Sequence, residues 1–306
     1  MKLTETTSGV FGAPSARSSG RRSAPGWGIA WAELAKTARR PAAWVLLAAS
    51  IVLNLTFSYL IPYLAYRGGG SSDRLAGASP DQILSSVMPQ SLVINTIGGY
   101  PIFAGALALA FGALILGGEH TWGTVKTLFT QGPSRGRILL AQWAAIALAV
   151  GVGVVLMFAV SASASAGLAL AEGQPLTWPA AGDLLEGAGS GWLVLTMWAT
   201  LGAMLAWLLR GVALPIGLGI VWALGLENLV SAMASSLLSA LQPVRDALPG
   251  VNAGSLVAAV SAARATAAPP GVTATVGGGR ALLTLTAYVL VGVAAIVLTG
   301  RRRDVT

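Results

Sequence analysis

The 306-residue chain contains no cysteine and a single histidine, His120, and only 10% of its residues are charged. Without cysteine there is no disulfide framework, no thiol nucleophile and no cysteine metal site. One histidine excludes any centre needing two, and no HExxH pattern is present. His120 itself reads as a solvated loop residue rather than a proton carrier. A phosphate loop of the form GxxxxGK[ST] is also missing, so this chain does not hydrolyse nucleotide by that device. Soluble domains carry roughly a quarter charged residues. A tenth, with 55% hydrophobic residues and a mean hydropathy of +0.72, excludes an ordinary globular protein.

What the chain has instead is long apolar runs. Each is near the roughly 20 residues needed to cross a hydrocarbon core about 30 Å thick. Six spans can be drawn. The first is Trp44 to about Tyr66. The second starts between Leu92 and Ile102 and ends at Gly117-Gly118. The third runs from Ile138 to about Ala166. From Gly189 to Ser231 the run is too long for one span and divides at Arg210-Gly211, just before Pro215. The sixth is Ala281 to Thr299, stopped by Gly300 and Arg301. The fold class is an all-α polytopic membrane protein.

Charge sets the orientation. With the N-terminus inside, 14 of the 19 basic residues fall in cytoplasmic segments and five outside. Both termini are therefore expected in the cytoplasm, at the plasma membrane. The net charge of +8 follows from this bias, not from nucleic-acid binding. Residues 1–26 lack the apolar stretch of a secretory signal and read as a disordered tail. Arg17, Arg21 and Arg22 are either solubilising or in contact with membrane lipids.

Residues 27–40 set Trp27, Ile29, Trp31 and Leu34 against Glu33, Lys36, Arg39 and Arg40. This suits an interfacial elbow helix before a bend at Pro41, although a plain basic flank would look similar. The permease domain is then 41–300, followed by a basic tail, 301–306. The outer segment 232–280 reads as helices lying on the outer surface or as a loose tether. Asn54 and Thr56 suit hydrogen bonding between spans.

Residues 117–137, GGEHTWGTVKTLFTQGPSRGR, are far longer than a turn between spans requires. Glu119 suits the positive end of a helix dipole at the start of a new segment. Thr121 to Thr130 would place Trp122, Val125, Leu128 and Phe129 at helical spacing, ended by Gly132-Pro133. A short helix with an apolar face outside the bilayer needs a partner to cover it.

This stretch resembles the cytoplasmic loop of ABC-2-type ABC transporter permeases. The matching residues are Glu119, Gly123-Thr124, Lys126, Leu128-Phe129, Pro133 and Arg135. WAELAKTARRPAAW is similar to the family's elbow helix, and Glu227 followed by Leu248-Pro249-Gly250 to a further pattern of some members. Gln142 stands where a lysine is frequent, and His120-Thr121 replaces an aromatic–basic pair. The resemblance implies two permease chains, identical or different. Each docks a coupling helix, 119–133, into a separate ABC ATPase subunit that carries ATP and Mg. This chain itself would bind no cofactor. Export is the commoner direction in the family.

Glu227 lies 17 residues beyond Arg210, roughly 25 Å along a helix and so near the outer headgroups. It is either structural or an outer gate or substrate contact. A secondary transporter or channel would be expected to show deeper charges or an inverted repeat. A non-transporting membrane anchor for an ATPase is the remaining alternative.

Overall fold

A computed structural model describes residues 26–68, 79–121, 135–236, 239–261 and 269–302. Within them the chain is helical and contains six helices long and apolar enough to span a membrane. They run Pro41–Arg67, Pro89–Gly118, Gly136–Ala171, Ala181–Leu209, Ala213–Ala234 and Gly278–Arg301. Their number and order agree with the sequence reading. Their ends differ in ways that packing explains.

The second and fourth spans form the centre of the bundle and share its most extensive interface. Leu109, Leu116, Met197 and Trp198 are all but fully buried there. The interface is close because a Cβ on Gly112 would overlap the Ala199 carbonyl, and one on Gly202 would overlap the Leu109 carbonyl. Lipid tails are as apolar as leucine, so burial alone does not drive helices together inside a bilayer. Close backbone approach at small residues supplies the dispersion contacts that do.

The third and sixth spans pack against this centre, and the first and fifth lie at its periphery. Asn54 on the first span donates to Ser161 Oγ on the third at 3.0 Å, as the sequence suggested. Trp143 Nε1 and Trp207 Nε1 donate to Thr200 and Thr299 hydroxyls, each at 3.0 Å, tying further pairs of spans.

Two expected stops are not stops. The helix Gly105–Thr121 passes straight through Gly117-Gly118, and Gly278–Arg302 passes through Gly300. These glycines serve approach, not termination. A Cβ on Gly117 would press on the Gly211 carbonyl and the Val212 side chain, and one on Gly300 on Leu139 and Trp207. The turn between the fourth and fifth spans does fall at Arg210-Gly211. Arg210 adopts the left-handed conformation (φ 54) that ends the helix, with its N–H donating to the Ala206 carbonyl.

At the opposite end the spans begin earlier than hydropathy indicates. Helix Pro80–Ser86 opens with a capping box: Ser79 Oγ accepts from Gln82 N–H, and Gln82 Oε1 accepts from Ser79 N–H. Ile83, Leu84, Val87 and Met88 are buried, and the second span then starts at Pro89. The fourth starts at Ala181, so Asp183 and Glu186 lie in its opening turns, and Glu227 is not the sole acidic residue of a span. An acidic first turn suits a helix N-terminus.

Part of the outer segment, the short helix Gln242–Ala247, has no buried residue and lies at the surface as expected, but the rest of its helical part is packed into the bundle. Helix Pro249–Ser261 packs against the fourth and sixth spans and buries Asn252, Ala253, Gly254, Ser255, Leu256 and Val257. Asn252 Oδ1 is buried without a partner, while the helix's donors bond nearby. Asn252 donates to the Asp246 and Leu248 carbonyls at 2.9 and 2.8 Å. Ser255 donates to the Thr273 carbonyl at 3.0 Å and accepts from Val276 N–H at 3.2 Å.

Candidate functional site

One end of the bundle gathers the N-terminal helix Gly26–Ala38, the ends of the second and third spans, the Arg210 turn and the last turn of the sixth span. Arg40 joins them. Its Nη1 donates to the Leu114 carbonyl at 3.1 Å and to the Ile115 carbonyl at 3.4 Å. Gly118 lets this guanidinium approach, because a Cβ there would sit against it. A Cβ on Gly136, at the start of the third span, would likewise press on Arg301 of the sixth.

The N-terminal helix forms where expected but faces the other way. Glu33 and Thr37 are buried, whereas Trp31 is 65% exposed. The helix packs on the beginning of the third span. Glu33 pairs with Lys36 at 3.7 Å, and the Thr37 hydroxyl donates to the Glu33 carbonyl at 2.9 Å. A buried carboxylate is tolerated only with partners. Its polar stripe is therefore the docking face, and Trp31 is left for the surroundings.

Of the residues singled out between the second and third spans, Gly123, Thr124, Val125, Lys126, Leu128, Phe129 and Pro133 lie outside the described residues. The two at its edges are placed. Glu119 belongs to the last turn described of helix Gly105–Thr121, not to the first turn of a new segment. The dipole argument for it therefore does not hold, since a C-terminal turn presents carbonyls. Arg135 opens the next helix, Arg135–Ala171. Both backbones extend as helix beyond the apolar spans, the second as far as Thr121 and the third from Arg135.

Glu227 lies past the middle of the fifth span, Ala213–Ala234, with helix continuing beyond it to Ser236, and it does not face solvent. It is 4% exposed. Its Oε1 accepts from Trp222 Nε1 at 2.8 Å and its Oε2 from the Gly250 N–H at 2.7 Å. A Cβ on Gly250 would overlap the carboxylate, which is why glycine stands there. The carboxylate thereby fastens the fifth span to the N-terminus of helix Pro249–Ser261, where free N–H groups favour an anion. Trp222 lies in a π-helical stretch, Val221–Leu226, and comparable stretches interrupt the first span at Thr56–Leu60 and the second at Tyr100–Ala104.

Sequence reasoning did not find the outer helix or its link to the second span. Gly271, at φ 81, turns the chain so that its backbone lies on Ile102 and Pro101 of the Tyr100–Ala104 stretch. The only trace in the sequence is Pro269-Pro270-Gly271, which reads as a turn.

The sequence pattern of the ABC-2 family transporter proteins matches this chain over residues 27–300. None of the curated proteins compared with it matches significantly.

Proposed function

The chain belongs to the ABC-2 family of transporter proteins and is the permease subunit of an ABC transporter; on that premise we propose that it works as a dimer and exports its substrate. Separate ATPase subunits carry ATP and Mg. The pathway lies between the two permease chains in the plasma membrane, with both termini in the cytoplasm.

The observation that carries this reading is the second span. It runs as helix from Thr121, beside residues 122–134, back to Gly105, and then through the Tyr100–Ala104 stretch to the outer loop at Gly271. A displacement applied at residues 119–133 is thus delivered to the outer closure. Arg40 and the Arg210 turn hold the same end together, so elbow helix and turn move with it. Helix Pro249–Ser261 closes the outer end, and Glu227 latches it to the fifth span. π-helical stretches, with their looser register, are frequent at functional sites and give the first, second and fifth spans places to bend. The first and fifth spans leave most of their apolar surface uncovered in one chain, including Val52, Leu64, Leu214 and Val221. That surface is open to lipid or to a second permease chain.

In the proposed coupling helix, Val125, Leu128 and Phe129 supply the apolar face and Lys126 the charge. Glu119, Thr124, Pro133 and Arg135 frame its ends, and Gly123 permits close approach. Burying a phenylalanine is worth on the order of 2 kcal/mol. Phe129→Ala should therefore weaken ATPase binding by roughly 30-fold, since each 1.4 kcal/mol is tenfold. Gly123→Leu should block docking by steric overlap. Co-purification with the ATPase and substrate-stimulated ATP hydrolysis test both. Wild-type behaviour of both variants would reduce the stretch to a linker.

A further inference from the structure

Between the N-terminal helix and the first three spans lies a cavity of about 310 Å³. Leu34 and Thr37 frame one end. Leu47, Leu107 and Gly153 form its walls, and Tyr100 and Met157 close the other end. From Phe111 to Tyr100 the second span runs along this wall for 12 residues, about 16 Å of helix at 1.5 Å per residue. Spread over that length, this volume is a narrow slot rather than a compact chamber. A helix of a second copy is roughly 10 Å across and does not fit. Water is a poor filler, because a stable site for it needs two to four polar partners. An empty apolar slot forfeits the dispersion contacts of its lining.

Charge at the mouth selects the head of the occupant. The N-terminal helix Gly26–Ala38 frames the mouth; Lys36 in its last turn pairs with Glu33, Arg40 is engaged with the second span, and Arg39 between them is exposed. An apolar slot ending under a basic helix terminus matches a molecule with an alkyl body and an anionic head. We propose that the cavity binds one acyl chain of an anionic lipid, taken from the leaflet around the N-terminal helix. The lipid wedges the first span away from the second and third, and so sets how far the first span can close on them. The site is independent of ATPase coupling and would persist if that reading failed.

The test uses the full chain in phosphatidylcholine nanodiscs doped with phosphatidylglycerol bearing a photoreactive diazirine on its acyl chain. Labels are mapped by peptide mass spectrometry. Labelling should concentrate on Leu47, Leu107 and Met157. A Cβ on Gly153 would meet only Leu47, at an ordinary contact distance of 3.8 Å. Gly153→Leu should fill the slot and cut this labelling about tenfold. Ala43→Leu, from the opposite wall, should act alike and guards against misfolding of the first variant. Val155→Leu, at a site 66% exposed on the same helix, should leave labelling unchanged. Arg39→Gln should remove the preference for the phosphatidylglycerol probe over a phosphatidylcholine probe. Labels spread over exposed positions such as Val155 and Leu290, indifferent to both filling variants, would overturn the site. Equal labelling of the wild type by the two probes would overturn the anionic head.

Discussion

Replacing Glu227 with alanine removes a carboxylate that accepts two hydrogen bonds, from Trp222 Nε1 at 2.8 Å and Gly250 N–H at 2.7 Å. The carboxylate is only 4% exposed, whereas Trp222 is 44% exposed, so the low end of the usual range applies. Hydrogen bonds to charged groups contribute about 1.5–3 kcal/mol each, and a buried donor left unpaired bears its desolvation cost. Taking the low end for each, the loss is about 3 kcal/mol. It falls on the attachment of helix Pro249–Ser261 to the fifth span, because that helix's side-chain donors bond within the outer segment itself. Local opening of the helix should become roughly 100-fold more frequent. Hydrogen exchange read by mass spectrometry on the full-length protein in nanodiscs measures this directly. Amides of 251–261 should exchange about two orders of magnitude faster, while those of the second and fourth spans stay protected. Glu227→Gln should fall between wild type and alanine. Its amide oxygen accepts one bond, and its amide nitrogen faces the other donor. Unchanged protection of 251–261 in Glu227→Ala would refute the latch.

Two other outcomes follow from the same structure. A single cysteine at Ser134 should react with impermeant thiol reagents only after the membrane is opened, and one at Ser72 in intact cells; the natural chain has no cysteine to interfere. The reverse pattern would place residues 119–133 away from ATP and end the coupling reading. Gly202→Ala should lower the melting temperature of the detergent-solubilised protein or prevent its accumulation, because the added methyl overlaps the Leu109 carbonyl. Gly167→Ala, where nothing lies within 4 Å, should be neutral or stabilising by up to about 1 kcal/mol. Equal behaviour of the two variants would contradict the close crossing of the second and fourth spans.

The number of spans, their order and the Arg210-Gly211 turn were legible in the sequence, because each follows from a local quantity. A hydrocarbon core of fixed thickness sets the length of an apolar run, and a charged residue beside glycine divides a run too long for it. The basic bias was legible for the same reason: lysine and arginine are counted, not paired. Where helices meet was not legible. Lipid and leucine are equally apolar, so a membrane helix carries no hydropathy signal distinguishing its covered face from its lipid face. Gly117-Gly118 and Gly300 therefore read as stops, although each receives a neighbouring element. Glu33 read as part of a polar headgroup face, although it is buried where the N-terminal helix packs on the third span. Glu227 was conspicuous as a carboxylate in an apolar run, but its role depends on Gly250, 23 residues away, and on a helix whose burial only the assembled bundle creates. Hydropathy is a sum over neighbours in sequence, and a latch is a pairing across the fold. The first determined that this chain crosses a membrane six times; only the second decided which of its polar residues pair across the bundle.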